Sequence, residues 1–199
     1  MRLGVGIALF LSFFLASGSG ALTITGATLV DAPDQLRRDQ FDSEEVVYFP
    51  EVESYTLEKD LELDDGTVVA AGTVLDSYYI VYDPPNRTWL ETTLEFDIPV
   101  RGVISLGKKL RKTDFLGAPG TDYGRFSHRG FESVRGTSRR DSIDLAADGF
   151  SLDFLVRAHS PGDALRLITP HVEAPIPEPA TALLLGAGLA GLALRRRRS

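Results

Sequence analysis

Cysteine is absent from the 199 residues, methionine and tryptophan occur once each, and histidine occurs three times. Without cysteine there is no disulfide, no thiolate nucleophile, no iron–sulfur cluster and no cysteine-based zinc site. That absence does not point to the cytoplasm, since many exported proteins do without cysteine. His128, His159 and His171 are 31 and 12 residues apart, which matches no helical metal motif. Ser127 beside His128 makes no triad, because neighbours on an extended chain point to opposite sides. No G-x-S-x-G, P-loop or dinucleotide fingerprint occurs, and no repeat of fixed period suggests a solenoid or propeller. These absences together leave no catalytic or metal-binding motif of a familiar kind.

Charge is plentiful but uneven. Setting aside Arg2, Glu178 and the four arginines at 195–198 leaves 16 of 21 basic and 27 of 28 acidic residues, about −11 for the body. A body of that sign repels phosphates, so nucleic acid is not expected as a partner. The length suffices for one domain with a real hydrophobic core.

Both ends read as addresses. At the N-terminus, Arg2 is followed by an apolar stretch over residues 3–16, and Ser19-Gly20-Ala21 presents the small side chains that signal peptidase requires. Residues 1–21 therefore read as a signal peptide, the alternative being an uncleaved N-terminal membrane helix. At the C-terminus, residues 180–194 are 15 uncharged residues, about 22 Å of helix against a hydrocarbon core of about 30 Å. Arg195, Arg196, Arg197 and Arg198 follow as a basic stop on the cytoplasmic side, and snorkelling makes so short a span tolerable. The spacings Gly186/Ala190 and Ala187/Gly191 offer a smooth face to another intramembrane helix.

Pro177-Glu178-Pro179, the short Gly/Ala/Leu helix and the arginine cluster, in that order, resemble the PEP-CTERM sorting signal of Gram-negative bacteria. The same tail also goes by the name ice-binding protein C-terminal domain, which describes where it was noticed and not a shared activity. Ice binding itself is disfavoured, because Thr23-Ile24-Thr25 stands alone where flat threonine ladders would be needed. The resemblance implies processing by an exosortase, after a membrane-tethered precursor has faced the periplasm. It also implies a mature protein at the cell surface or in the extracellular matrix, among exopolysaccharide and biofilm components. Residues 175–179 are then the linker with its sorting tripeptide.

The body, 22–174, reads as mainly β. Segments 22–30, 44–57, 67–83, 88–107, 150–158 and 164–172 are rich in β-branched and aromatic residues, and several alternate with period two, as in Trp89/Glu91/Thr93 against Leu90/Thr92/Leu94. Asp65-Gly66, Asp83-Pro84-Pro85-Asn86, Asp148-Gly149 and Ser160-Pro161-Gly162-Asp163 punctuate them as turns. This pattern predicts an antiparallel β-sandwich, jelly-roll-like, with one short helix over 108–115. The succession SYYIVYDP, TLEFD, GVISLGKKLRKTDFLGAPGTDY, GFES and DALRLIT resembles a β-rich domain that recurs in PEP-CTERM proteins and has no established activity.

Three features of the body invite chemistry. From Asp31 to Asp65 there are 13 acidic and three basic residues, and from Arg101 to Arg140 ten basic and three acidic. The basic stretch offers Lys108, Lys109, Arg111, Lys112, Arg125, Arg129, Arg139 and Arg140 to an anionic polysaccharide, with Tyr123, Phe126 and Phe131 able to stack on sugars; alternatively it is a solvated face. Glu95 and Asp97, two apart on a strand, share a face as the acid and base of a glycoside hydrolase would. Pro99 occupies the next alternate position, so an exposed strand face is the simpler expectation. Asp60, Glu62, Asp64 and Asp65 make an oxygen-rich turn before Gly66 that suits calcium by composition, without EF-hand spacing. The leading expectation is a non-enzymatic, exported sandwich without a required cofactor, working with polysaccharide or envelope partners.

Overall fold

The computed structural model describes residues 21–36, 41–124, 129–131, 141–158 and 162–173. The signal peptide (except Ala21), the sorting tripeptide, the apolar segment 180–194 and the basic stop lie outside these residues, as do Arg125, Phe126, Arg139, Arg140, His128 and His159.

Two sheets carry the fold. One contains β1 (Ile24–Thr25), β7 (Thr88–Phe96), β10 (Ser151–Ala158) and β9 (Ser142–Leu145), in the order β1-β7-β10-β9. The other contains β2 (Thr28–Leu29), β3 (Val47–Thr56), β6 (Val74–Tyr82), β11 (Asp163–Pro170) and β8 (Gly102–Ile104), in the order β2-β3-β6-β11-β8. Every pairing is antiparallel except β2 with β3. A small hairpin, β4 (Leu61–Glu62) with β5 (Val68–Val69), stands apart from both.

The sheets face each other across one core. Tyr48, Tyr78, Ile80, Leu165 and Leu167 from the five-stranded sheet meet Leu94, Phe96, Leu152, Phe154 and Val156 from the four-stranded one. The alternation in β7 and β10 follows directly: their second face is wet, and apart from Trp89 and Leu155 its residues are polar. By contrast β6 is buried from Leu75 to Tyr82, and β11 from Asp163 to Thr169. The five-stranded sheet is covered on both faces, and the layer outside it is a second core. Phe49, Leu75, Tyr79, Val81 and Ile168 pack there beneath Leu57, Leu63, Leu110, Leu116 and Tyr123. That layer holds α1 (Gly107–Lys112), a 3₁₀ turn (Asp114–Leu116) and the β4–β5 hairpin.

Several long predicted strands divide. Segment 22–30 breaks at Gly26, whose φ of 92° is the left-handed region that favours glycine. The chain crosses there from one sheet to the other, so β1 and β2 belong to different layers. Segment 67–83 breaks at the turn closed by the Thr73 N–H on the Ala70 carbonyl, with Gly72 at φ 84°. The helix predicted over 108–115 is α1 followed by the 3₁₀ turn, with Thr113 at φ −104° as the joint.

Candidate functional site

The outer layer is where charged side chains converge. In α1 the only buried side chain is Leu110, and no side chain caps its N-terminus. The carbonyls at its end accept local bonds, those of Lys109 and Leu110 from the Thr113 N–H and hydroxyl and that of Thr113 from the Leu116 N–H, and Arg166 adds further donors through the sheet. Arg166 Nη1 donates to the Thr113 carbonyl at 2.7 Å, to Thr113 Oγ1 at 2.6 Å and to the Leu110 carbonyl at 3.3 Å. Its Nη2 donates to Glu51 Oε1 at 2.7 Å, and Nε donates to Glu51 Oε2. Glu51 sits at a register shift in β3, between Pro50 and Val52, and also accepts the Ser77 hydroxyl at 2.7 Å and the Tyr123 hydroxyl at 2.6 Å. Both side chains of the pair are fully buried. Burial works to lower the Arg166 pKa, but Glu51 outweighs it and leaves it raised.

A second arginine enters the same layer. Arg129 Nε donates to the Tyr79 hydroxyl at 2.6 Å and Nη1 donates to Asp114 Oδ2 at 2.9 Å, while Nη2 makes an ion-pair contact with Asp114 Oδ1 at 2.7 Å. Its guanidinium lies 4.5 Å from the Tyr123 ring centroid, within cation–π range. Gly130, at φ 100°, lets the next residue turn the other way. Phe131 thus enters the core between the sheets, edge-on to Phe154.

These placements remove Arg129, and with it Tyr123 and Phe131, from the anion-binding surface read from sequence. Arg129 is buried and neutralised by Asp114, and Tyr123 and Phe131 are core residues unable to stack on a sugar. Lys109 turns to the β4–β5 hairpin, bonding the Leu63 carbonyl at 2.7 Å and pairing with Glu62 at 3.2 Å and Asp64 at 3.7 Å. Lys108, Arg111 and Lys112 remain exposed.

The acidic turn is structural where its contacts are seen. Asp60 accepts the Ala71 N–H at 2.9 Å, and Asp64 accepts the Ser105 N–H and hydroxyl at 2.6 and 2.7 Å. Asp65 takes the Thr67 N–H and hydroxyl, both at 2.8 Å, which hold it below the ordinary carboxylate value. Among the described residues no three His, Asp or Glu side chains stand together as a metal site needs. Glu95 is exposed, opposite Thr25 and Ser151. Asp97 lies beyond the strand end and accepts the Thr23 N–H at 2.8 Å. His171 contacts Asp76 at 2.8 Å, and Asp76 also accepts the N–H of Ser54, the one described non-glycine residue with positive φ.

Between the hairpin, β3 and α1 lies an open cleft of about 550 Å³. Tyr55 and Phe115 meet at its edge, ring centroids 5.9 Å apart. Sequence reasoning missed this pair, and missed Glu51 with Arg166, because each joins residues far apart in the chain. The one local hint was a charged residue in the apolar run Leu165-Arg166-Leu167-Ile168.

The buried tyrosines give the domain an alkaline limit. Burial pushes Tyr78 and Tyr79 up from 10.0 to about 12 each, for Tyr79 against the pull of Arg129 and Arg166. Between pH 10 and about 12 the folded chain keeps these protons while the unfolded chain has lost them. Stability is therefore fully present below that window and falls as pH rises through it. Urea midpoints taken across the window should drop steeply, with tyrosinate absorbance appearing together with unfolding; ionisation of all tyrosines near pH 10 without unfolding would contradict the packing.

No helix among the described residues is long and apolar enough to cross a membrane. No curated protein and no solved structure matches the chain. Residues 175–198 match the family described as the PEP-CTERM protein-sorting motif. That motif implies an exported protein processed at the membrane by an exosortase. The chain thus carries a PEP-CTERM protein-sorting motif over residues 175–198, preceded by a mainly β body.

Proposed function

We propose that the mature protein is a non-enzymatic β-sandwich, displayed at the cell surface or in the extracellular matrix, that binds polysaccharide or another envelope component. The sorting motif over 175–198 carries the reading. The sandwich suits it: strands cross repeatedly between the sheets, as in jelly-roll-like folds, and the layer outside the second sheet supplies an open cleft. Catalysis by Glu95 and Asp97 is less favoured, since Asp97 already ties down Thr23 beyond the end of the strand.

Processing offers the direct test. In a host with an exosortase, intact-mass analysis of surface-located protein should show the chain ending near Pro177-Glu178-Pro179, with the segment through Arg198 gone. Replacing Glu178 by alanine should leave the precursor in the membrane fraction. Surface protein that retains Arg195–Arg198 would overturn the sorting assignment.

A further inference from the structure

We propose that the cleft between β3, the β4–β5 hairpin and α1 binds a neutral saccharide, with a sugar ring lying against Phe115. This narrows the reading of the domain as a polysaccharide binder, and rests on it. The volume of about 550 Å³ lies in the ordinary range for small-ligand sites, about 300–1,000 Å³.

Phe115 carries the argument. It is 51% exposed although its neighbour Leu116 is fully buried, so a well-packed 3₁₀ turn holds the aromatic ring in water. Tyr55, half-buried on β3, leans against it at an interplanar angle of 42°. An apolar ring fixed at the edge of a cleft gains when something with a flat apolar face covers it. A pyranose has such a face of C–H bonds and a rim of hydroxyls that need hydrogen-bonding partners. The cleft offers them: Glu58, Lys59 and Lys112 line it, and none of their side chains has a hydrogen bond or ion pair among the described residues.

The balance of charge selects the class. Three carboxylates (Glu58, Asp60, Glu62) and three ammonium groups (Lys59, Lys109, Lys112) line the cleft. A polyanion would meet the acidic wall and a polycation the lysines, whereas a neutral hydroxyl-rich chain meets no like charge and can both donate and accept. Asp60 and Lys109 are held by Ala71, Glu62, Asp64 and the Leu63 carbonyl, so both walls are fixed before a ligand arrives.

Affinity electrophoresis of the full-length chain, in a detergent without a sugar headgroup, tests this against dextran, laminarin, galactan and alginate at low and high salt. At least one of the three neutral polymers should retard the protein equally at both salt concentrations, since screening weakens exposed ionic contacts and not stacking. Phe115→Ala should weaken that retardation by about tenfold or more, Phe115→Trp should restore it, and Lys108→Ser with Arg111→Ser should leave it unchanged. Retardation by alginate alone, retardation that vanishes at high salt, or indifference to Phe115→Ala would overturn the proposal while leaving a polysaccharide binder. Retardation by none of the four polymers would overturn both this site and the polysaccharide reading on which it rests.

Discussion

Replacing Glu51 by alanine should cost the domain about 3–5 kcal/mol of stability, because the Arg166 guanidinium then stays in the protein interior with only Asp114, 3.7 Å away and shared with Arg129, as counter-charge. Arg166→Met should cost as much or more: it strands the Glu51 carboxylate and also removes the donors to the Thr113 and Leu110 carbonyls at the end of α1. The double variant Glu51→Leu with Arg166→Met distinguishes pairing from packing. An ion pair replaced on both sides by apolar groups of similar size is often close to neutral. Here Ser77, Tyr123 and Thr113 each lose a partner, at about 1 kcal/mol apiece, so recovery should be partial. Urea midpoints of the two single variants and the double form the cycle. Single variants within about 1 kcal/mol of the parent would show that water or a rearranged partner replaces the pair.

The second large effect is expected at Gly130. A Cβ there would stand 2.1 Å from the Ser105 carbonyl oxygen and 2.8 Å from Leu110 Cδ1. Neither can yield easily, because Ser105 accepts the Phe131 N–H and Leu110 is the buried residue of α1. Gly120 has nearly the same φ, 90° against 100°, and nothing within 4 Å of its Cβ position. Gly120→Ala should therefore show the backbone cost alone, about 1–2 kcal/mol. Gly130→Ala adds the collision and should lose at least about 3 kcal/mol, since overpacking alone typically costs about 1–3. Equal losses at the two sites would mean that the chain around 129–131 can step aside.

The strands were legible where chemistry alternates along the chain. Trp89 to Leu94 reads in and out, and β7 is half wet. β6 and β11 were legible as strands too, from their apolar runs, but not as strands covered on both faces, because a continuous run does not say what lies on each side. The two-residue strand Leu61–Glu62 and the polar edge Ser142–Leu145 left too little pattern to find. The site was less legible still. Lys109 and Arg129 look alike in a basic stretch, yet both are held by carboxylates, one of them in the acidic stretch near residue 60. Glu51 and Arg166 lie 115 positions apart, and no local period encodes such a meeting. Tyr55 and Phe115 meet only because β3 and the 3₁₀ turn share the outer layer.

The place of β11 sets an order of events during export. It is the last strand of the described body, yet it lies in the middle of its sheet, hydrogen-bonded to β6 on one side and β8 on the other. It also carries Arg166, which pairs with Glu51 and ties it to the end of α1. Until residues 163–170 arrive, β6 and β8 face a gap and neither core can close. A chain emerging from its N-terminus must therefore stay unfolded almost to its end, the condition in which it can still be threaded through a membrane. Folding then completes in one late step, shortly before the sorting signal emerges.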